Sequence, residues 1–231
     1  IGRYFHTAML EPEKVGSSEF IGIDASSRNT KKYKEEILEH GRDIMMLQKE
    51  KDQTDRAIAT MNNNLEFYEA IYDEENRYEI PAVHEVMGIE WKGKADIVGK
   101  DILIDLKTTS NIKDFKYSAR KYNYDSQAYL YQQFFDKPLV FYVVDKMTFE
   151  LGIYYPSETF LQYGKEKVEK ATNFILKMLK KILNRILLKK HFNKKESVVW
   201  LQIPTDLNTQ AKRDNLMEAT MNQLEKIIYK N

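Results

Sequence analysis

Residues 93–109 read GKADIVGKDILIDLKTT, which sets one aspartate, Asp96, near the end of an apolar run and an Asp-x-Lys triplet, Asp105 and Lys107, inside the next. In an extended strand Leu103, Asp105 and Lys107 share one face and Ile102, Ile104 and Leu106 the other, so a carboxylate and an ammonium emerge together from apolar surroundings. An unpaired charge in low dielectric is costly, so such a pair either forms an internal salt bridge or binds something. With Asp96 delivered from the neighbouring strand, two carboxylates can converge on one divalent cation. This is the hard oxygen set that Mg2+ or Mn2+ prefers, with Lys107 at its flank. The chemistry it suits is phosphodiester hydrolysis: a metal polarises a phosphoryl oxygen and lowers the pKa of a bound water, while the ammonium orients the attacker or stabilises developing negative charge. The triplet alone is equally consistent with a cross-strand Asp–Lys pair at a sheet edge, so the elements around it must decide.

Those groups need a sheet to hold them. From Ile80 the hydrophobic period changes from helical to two, and strands are predicted over Pro81–Trp91, Lys94–Val98 and Asp101–Thr108. A helix over Asp114–Phe135 follows, then strands over Leu139–Val144 and Phe149–Tyr155. Ahead of the sheet, helices are predicted at Gly2–Leu10, Asn29–His40, Lys51–Met61 and Leu65–Tyr72. Behind it, Ser157 can cap a long helix to about Phe192, whose stripe runs through Val168, Ile175, Met178 and Ile182. The tail offers an apolar stretch, Val198–Ile203, and an amphipathic helix from about Asp206.

Composition narrows the class. The chain has 231 residues with 36 Lys plus Arg against 35 Asp plus Glu, a net charge of +1, which excludes a polycation or an acidic tail and makes any basic site local. With 42% apolar and 12% aromatic residues the chain must fold, and nine Gly and five Pro favour helices with a modest sheet over a turn-rich all-β design. The expected class is α+β. The absence of cysteine excludes disulfides, thiolate zinc, a cysteine nucleophile and iron–sulfur clusters, and makes a reducing cytoplasm the expected location. No apolar run is long enough to span a membrane, and the opening Ile1 points to residues upstream.

Charge is segregated along the chain. Lys177 to Lys195 holds eight Lys or Arg and no acid, whereas Glu66 to Glu79 holds six acids and one Arg. The first is either a phosphate-binding strip or a solvated helix face. Nearer the candidate site, Lys113, Lys116, Arg120 and Lys121 alternate with Tyr117, Tyr122 and Tyr124. The cations suit DNA phosphates, and the tyrosines either stack on unpaired bases or pack beneath the helix. Thr108 and Thr109 could touch phosphate or simply end a strand.

Beyond Asp96 in its G-x-x-D context and the D-x-K of Asp105 and Lys107, three further stretches stand out: SQAYLY with Gln127 and Tyr131, GRYFHTAMLEPE with His6, and HEVMGIEW with Glu85. In that order these marks resemble the PD-(D/E)XK nucleases, specifically the phage and RecE-like exonucleases of the RecB-type branch, over roughly residues 1 to 190. The resemblance implies a restriction-endonuclease-like mixed sheet of about five strands in a domain over residues 1–192. Its helical part would cover 1–79 and its sheet 80–155, leaving 193–231 as an extension suited to oligomerisation. It implies His6, Asp96 and Asp105 as ligands of Mg2+ or Mn2+, Lys107 beside the attacking water, and Glu85 as an acid on the preceding strand, its neighbour His84 pointing the other way. Gln127 and Tyr131 would position the carboxylate, the lysine or the nucleic-acid backbone, and their spacing of four does set them on one helix face, in line with Arg120 and Tyr124. The implied activity is double-stranded DNA exonuclease action serving recombination, with a single-strand annealing protein and a homo-oligomer as implied partners. A structure-specific endonuclease and a non-catalytic DNA-binding partner with a vestigial core stay open.

Overall fold

The computed structural model describes residues 1–15, 20–41 and 45–192, with side chains described to residue 183. The stretch Val198–Ile203 and the helix from about Asp206 lie outside the described residues, as does the basic strip beyond residue 192. The chain divides into two compact units, Ile1–Val168 and Glu169–Asn231. In the second, the helix α7 (Glu158–Phe192) continues to its end, burying Met178 and Ile182 and exposing Leu176, Leu179 and Leu183.

The first unit is α+β. Its sheet has five strands in the order β3-β4-β5-β6-β7, made of Arg77–Val86, Ile89–Val98, Leu103–Thr109, Leu139–Asp145 and Leu151–Tyr154. It is mixed: β5 and β6 are parallel and the other pairs antiparallel. The parallel pair needs a crossover, and α5 (Phe115–Lys121) with α6 (Tyr124–Phe135) supplies it. Every residue of β6, LVFYVVD, is buried, as a strand covered on both faces requires.

Two cores sandwich this strand. On one face Ile97, Ile104, Leu106, Val140 and Tyr142 pack against Phe5 and Met9 of α1 (Gly2–Leu10), Ala57 and Met61 of α3 (Gln48–Asn63), and Phe67 and Ile71 of α4 (Leu65–Ile71). On the other, Leu103, Phe141 and Val143 meet Phe115 and Ala119 of α5 and Ala128 of α6. Deleting a ring such as Phe5, which is fully buried, should cost about 3–5 kcal/mol. The Asn62–Asn64 run ends α3 and restarts the chain as α4 because the Asn64 side chain accepts from the Phe67 N–H at 3.1 Å. A small satellite pairs β1 (Gly22–Ile23) with β2 (Met46–Leu47) and packs α2 (Lys31–Glu39) through Tyr33.

Two elements differ from the sequence expectation. The strand predicted over Pro81–Trp91 is the tip of a hairpin: β3 and β4 are joined by Met87 and Gly88, both with positive φ, 56° and 77°. Such a turn is usually written Asn-Gly or Asp-Gly, and here the apolar run through Val86, Met87 and Ile89 masks it. The helix predicted over Asp114–Phe135 is broken between Lys121 and Tyr124, with Asn123 left-handed at φ 61°. Lys167 of α7 holds the break, its ammonium donating to the Arg120 carbonyl at 2.9 Å, to Asn123 Oδ1 at 3.1 Å and to Asp125 Oδ1 at 2.9 Å.

Candidate metal centre

The site lies where β4 and β5 part. Their ladder has only two register pairs, Ile97 with Ile104 and Val98 with Leu103. Past them the strands splay, and the Leu106 N–H, which a continued ladder would give to a backbone carbonyl, donates instead to Asp96 Oδ2 at 2.8 Å. A carboxylate thus fills the fork and satisfies a buried donor that would otherwise be orphaned. The same oxygen lies 3.2 Å from His6 Nδ1 on α1, a helix fixed by Phe5 and Met9 in the core and by the Tyr4 hydroxyl, which donates to Asp55 Oδ1 at 2.5 Å.

A third ligand type comes from β3. Glu79 is left-handed at φ 53°, an uncommon conformation for a residue with a side chain and a recognised place for strain at functional sites. It sits opposite Asp96, between the register pairs Tyr78–Ile97 and Ile80–Ala95. Ligating atoms of His6, Glu79 and Asp96 all lie within 4.8 Å of one another, and Glu79 is also ion-paired with the exposed Lys94. The three line an open cleft of about 650 Å³ with Arg3, Glu11 and Lys14 at its rim.

Asp105 stands beside this trio, buried, in ionic contact with Lys107 and accepting from Gln127 Nε2 at 2.5 Å. Its Oδ2 meets Lys107 without an aligned hydrogen bond. Burial pushes its carboxyl up to about 6, Lys107 opposing the shift and the Asp96 carboxylate adding to it. For Lys107, burial alone would lower the ammonium pKa, but the Asp105 and Asp96 carboxylates outweigh it and hold the group above its ordinary value. The ammonium also rests 4.6 Å from the centroid of the Tyr124 ring. The donor set, one imidazole nitrogen and several carboxylate oxygens flanked by the Lys107 and Lys94 ammonium groups, fits a hard divalent cation.

Tyr131 lies beside Gln127 and makes no hydrogen bond to the His6, Glu79, Asp96 or Asp105 side chain. Its hydroxyl donates to the Lys94 carbonyl at 2.9 Å and accepts from the Lys94 N–H at 3.3 Å, while its ring fills the space over Gly93, where a Cβ would come within 2.6 Å of Tyr131 Cε1. Gly93 and Tyr131 are therefore one device that docks β4 on α6. Glu85 does not join the cluster of His6, Glu79 and Asp96. It is exposed near the hairpin tip, opposite Glu90 and away from the cluster, with His84 equally exposed beside the Phe134 ring. Glu79 is the acid on that strand which meets His6 and Asp96. Counting outward from a Met87–Gly88 turn would have found it, because the register then sets Glu79 opposite Asp96. Lys113, Lys116, Arg120 and Lys121 are all exposed on or just before α5, and the Arg120 guanidinium lies 3.9 Å from the Tyr163 ring centroid.

Over residues 1–184 the sequence matches a family described as "PDDEXK-like domain of unknown function (DUF3799)". No curated protein matches it. Among solved structures, a protein named "Putative exonuclease" from Eubacterium rectale is similar with a TM-score of 0.53 and 20% identity, covering 76% of this chain and 64% of its own. This chain thus spans less than two thirds of that structure, and the likeness is one of fold. A second structure, SSO0001, aligns with a TM-score of 0.31 and 16% identity over 73% of this chain and 85% of its own. Among the described residues no helix is long and apolar enough to cross a membrane.

Proposed function

The chain belongs to the PDDEXK-like family DUF3799, and from that membership we propose that it is a metal-dependent deoxyribonuclease, most specifically an exonuclease that acts on the ends of double-stranded DNA. One observation carries the reading: His6, Glu79 and Asp96 meet at the β4–β5 fork, next to a buried Asp105–Lys107 pair. His6, Asp96 and Asp105 would hold Mg2+ or Mn2+, with Glu79 adjacent. The bound cation would supply Lewis acidity toward a phosphoryl oxygen and a lowered pKa for the attacking water.

The remaining roles belong to the chain itself. Lys107, held protonated by two carboxylates, is not a base at neutral pH; it offers positive charge where the pentavalent phosphate develops negative charge. Gln127 pins Asp105 Oδ1 and fixes the rotation of that carboxylate. Tyr131 is a positioning residue that sets β4. The exposed cations Lys113, Lys116, Arg120 and Lys121 would take phosphates along the duplex and make binding fall as salt rises.

The test is an end-labelled linear duplex compared with a closed circle of the same sequence in Mg2+ or Mn2+. Release of nucleotides from the linear form alone, abolished in Asp105→Ala, is the expected result. Nicking of the circle would replace the exonuclease with an endonuclease, and binding without hydrolysis in either metal would overturn the enzymatic reading.

A further inference from the structure

Strand β5 runs from Lys107 directly into a second groove, of about 360 Å³, whose lining includes Thr108, Ser110, Tyr122, Tyr124 and Lys146. Its walls differ in chemistry. One is aromatic: the Tyr124 ring is held between the Lys107 ammonium, 4.6 Å from its centroid, and the Phe141 ring at 5.9 Å. Tyr122 lies 6.0 Å farther out at an interplanar angle of 37° and is 61% exposed, a large aromatic face kept in water. The other wall is polar. Ser110 lies on it, and the Lys146 backbone N–H is fixed to the Thr109 carbonyl at 2.9 Å. The lining also carries an opposing charge, Asp114, which is engaged by Asn111 Nδ2 at 2.7 Å.

The volume sits near the lower end of the range of roughly 300–1,000 Å³ for small-molecule sites, enough for one nucleotide and too little for a base pair. A strand with a phosphate at Lys107 has a neighbouring nucleotide within reach of this groove, because Tyr124 borders both sites. Stacking on tyrosine accepts any base but needs a free base face, which the interior of a duplex does not offer.

We infer that this groove holds one unpaired nucleotide of the strand engaged at the metal centre, its base on Tyr122 and Tyr124 and its phosphate on Ser110 and Lys146. The inference rests on the nuclease reading, from which it takes its strand. It makes the preferred substrate a frayed or single-stranded end, engaged ahead of a blunt end closed by G·C pairs.

A single-stranded thymidine oligonucleotide with 2-aminopurine at one position in turn, mixed with the full chain in EDTA, reports stacking without turnover through quenching of the base fluorescence. Wild-type protein should quench one position strongly. Tyr122→Trp should keep that quenching, Tyr122→Leu should lose most of it and weaken binding about tenfold, and Ser110→Ala combined with Lys146→Met should weaken binding severalfold. Tyr155→Leu, at an exposed tyrosine outside the groove, should match wild type. Quenching and affinity in Tyr122→Leu equal to wild type would overturn the groove. With DNA hydrolysis intact, that result leaves the nuclease reading standing. Tyr122-dependent quenching by a protein that hydrolyses no DNA would retain the groove as a single-strand subsite and remove the nuclease reading.

Discussion

Asp105 with Lys107 and Asp125 with Lys167 are the same two residue types in ionic contact within residues 1–168, and both carboxylates are buried. They differ in what the ammonium does next. Lys167 donates to the Arg120 carbonyl, to Asn123 Oδ1 and to Asp125 Oδ1, so its three donors are spent holding the α5–α6 break and the first turn of α6. Lys107 has one carboxylate and the face of Tyr124, which leaves donors to offer. An ammonium with its donors spent is architecture; one with donors left, beside two more carboxylates and an imidazole, is a place for chemistry. Asp125 lies in the first turn of α6, where its charge also complements the helix dipole, whereas Asp105 lies in mid-strand with no such compensation.

That contrast can be broken by experiment. The largest effect should come from Lys107→Met and from Asp105→Asn, each lowering DNA hydrolysis per folded molecule by on the order of 10³-fold, with Lys107→Met also costing about 3–5 kcal/mol because it leaves the buried Asp105 unpaired. Activity within tenfold of wild type in both variants would return the pair to an architectural role. Lys167→Met should destabilise without touching the chemistry. It should lose about 3 kcal/mol in urea unfolding, the low end for a broken buried pair because part of the lysine is in water, and hydrolysis per folded molecule should be kept. Next in size is Gly93→Ala, where the new methyl meets the Tyr131 ring. A loss of about 1–3 kcal/mol is expected, and it should shrink in the double variant with Tyr131→Ala, whose coupling a double-mutant cycle reads directly.

The smallest effect is one of pH. Burial raises the Asp105 carboxyl to about 6 in the fold, above its unfolded value, so in metal-free protein the folded state binds the extra proton. Its contribution to stability is full below about pH 4 and lost as the pH rises to about 6. Asp105→Asn should flatten that part of the unfolding free-energy profile, and an unchanged slope would remove Asp105 as its source.

How far the fold and site could be read beforehand follows from how local each signal is. Asp96, Asp105 and Lys107 lie within one stretch of chain, and strand alternation alone set the last two side by side. The α+β class and the mixed five-stranded sheet follow from a change of period at Ile80 and from the resemblance. Glu79 was hidden because its position depends on a hairpin turn written Met-Gly, which propensity does not flag, and on a left-handed φ that no pattern of glutamates announces. The break at Tyr122–Asn123 was hidden because its cause, Lys167, lies far along the chain. Tyr131 was visible as a spacing, but its partner Gly93 emerges only when the ring is seen lying on it.

The short seam between β4 and β5 divides the charged groups between two blocks. Glu79 and Asp96 travel with the hairpin, while Asp105 and Lys107 travel with the β5–β6 slab. Whatever bridges the seam therefore acts as a clasp, and its arrival should register as stiffness: slower amide exchange along the hairpin arm, with the slab unchanged.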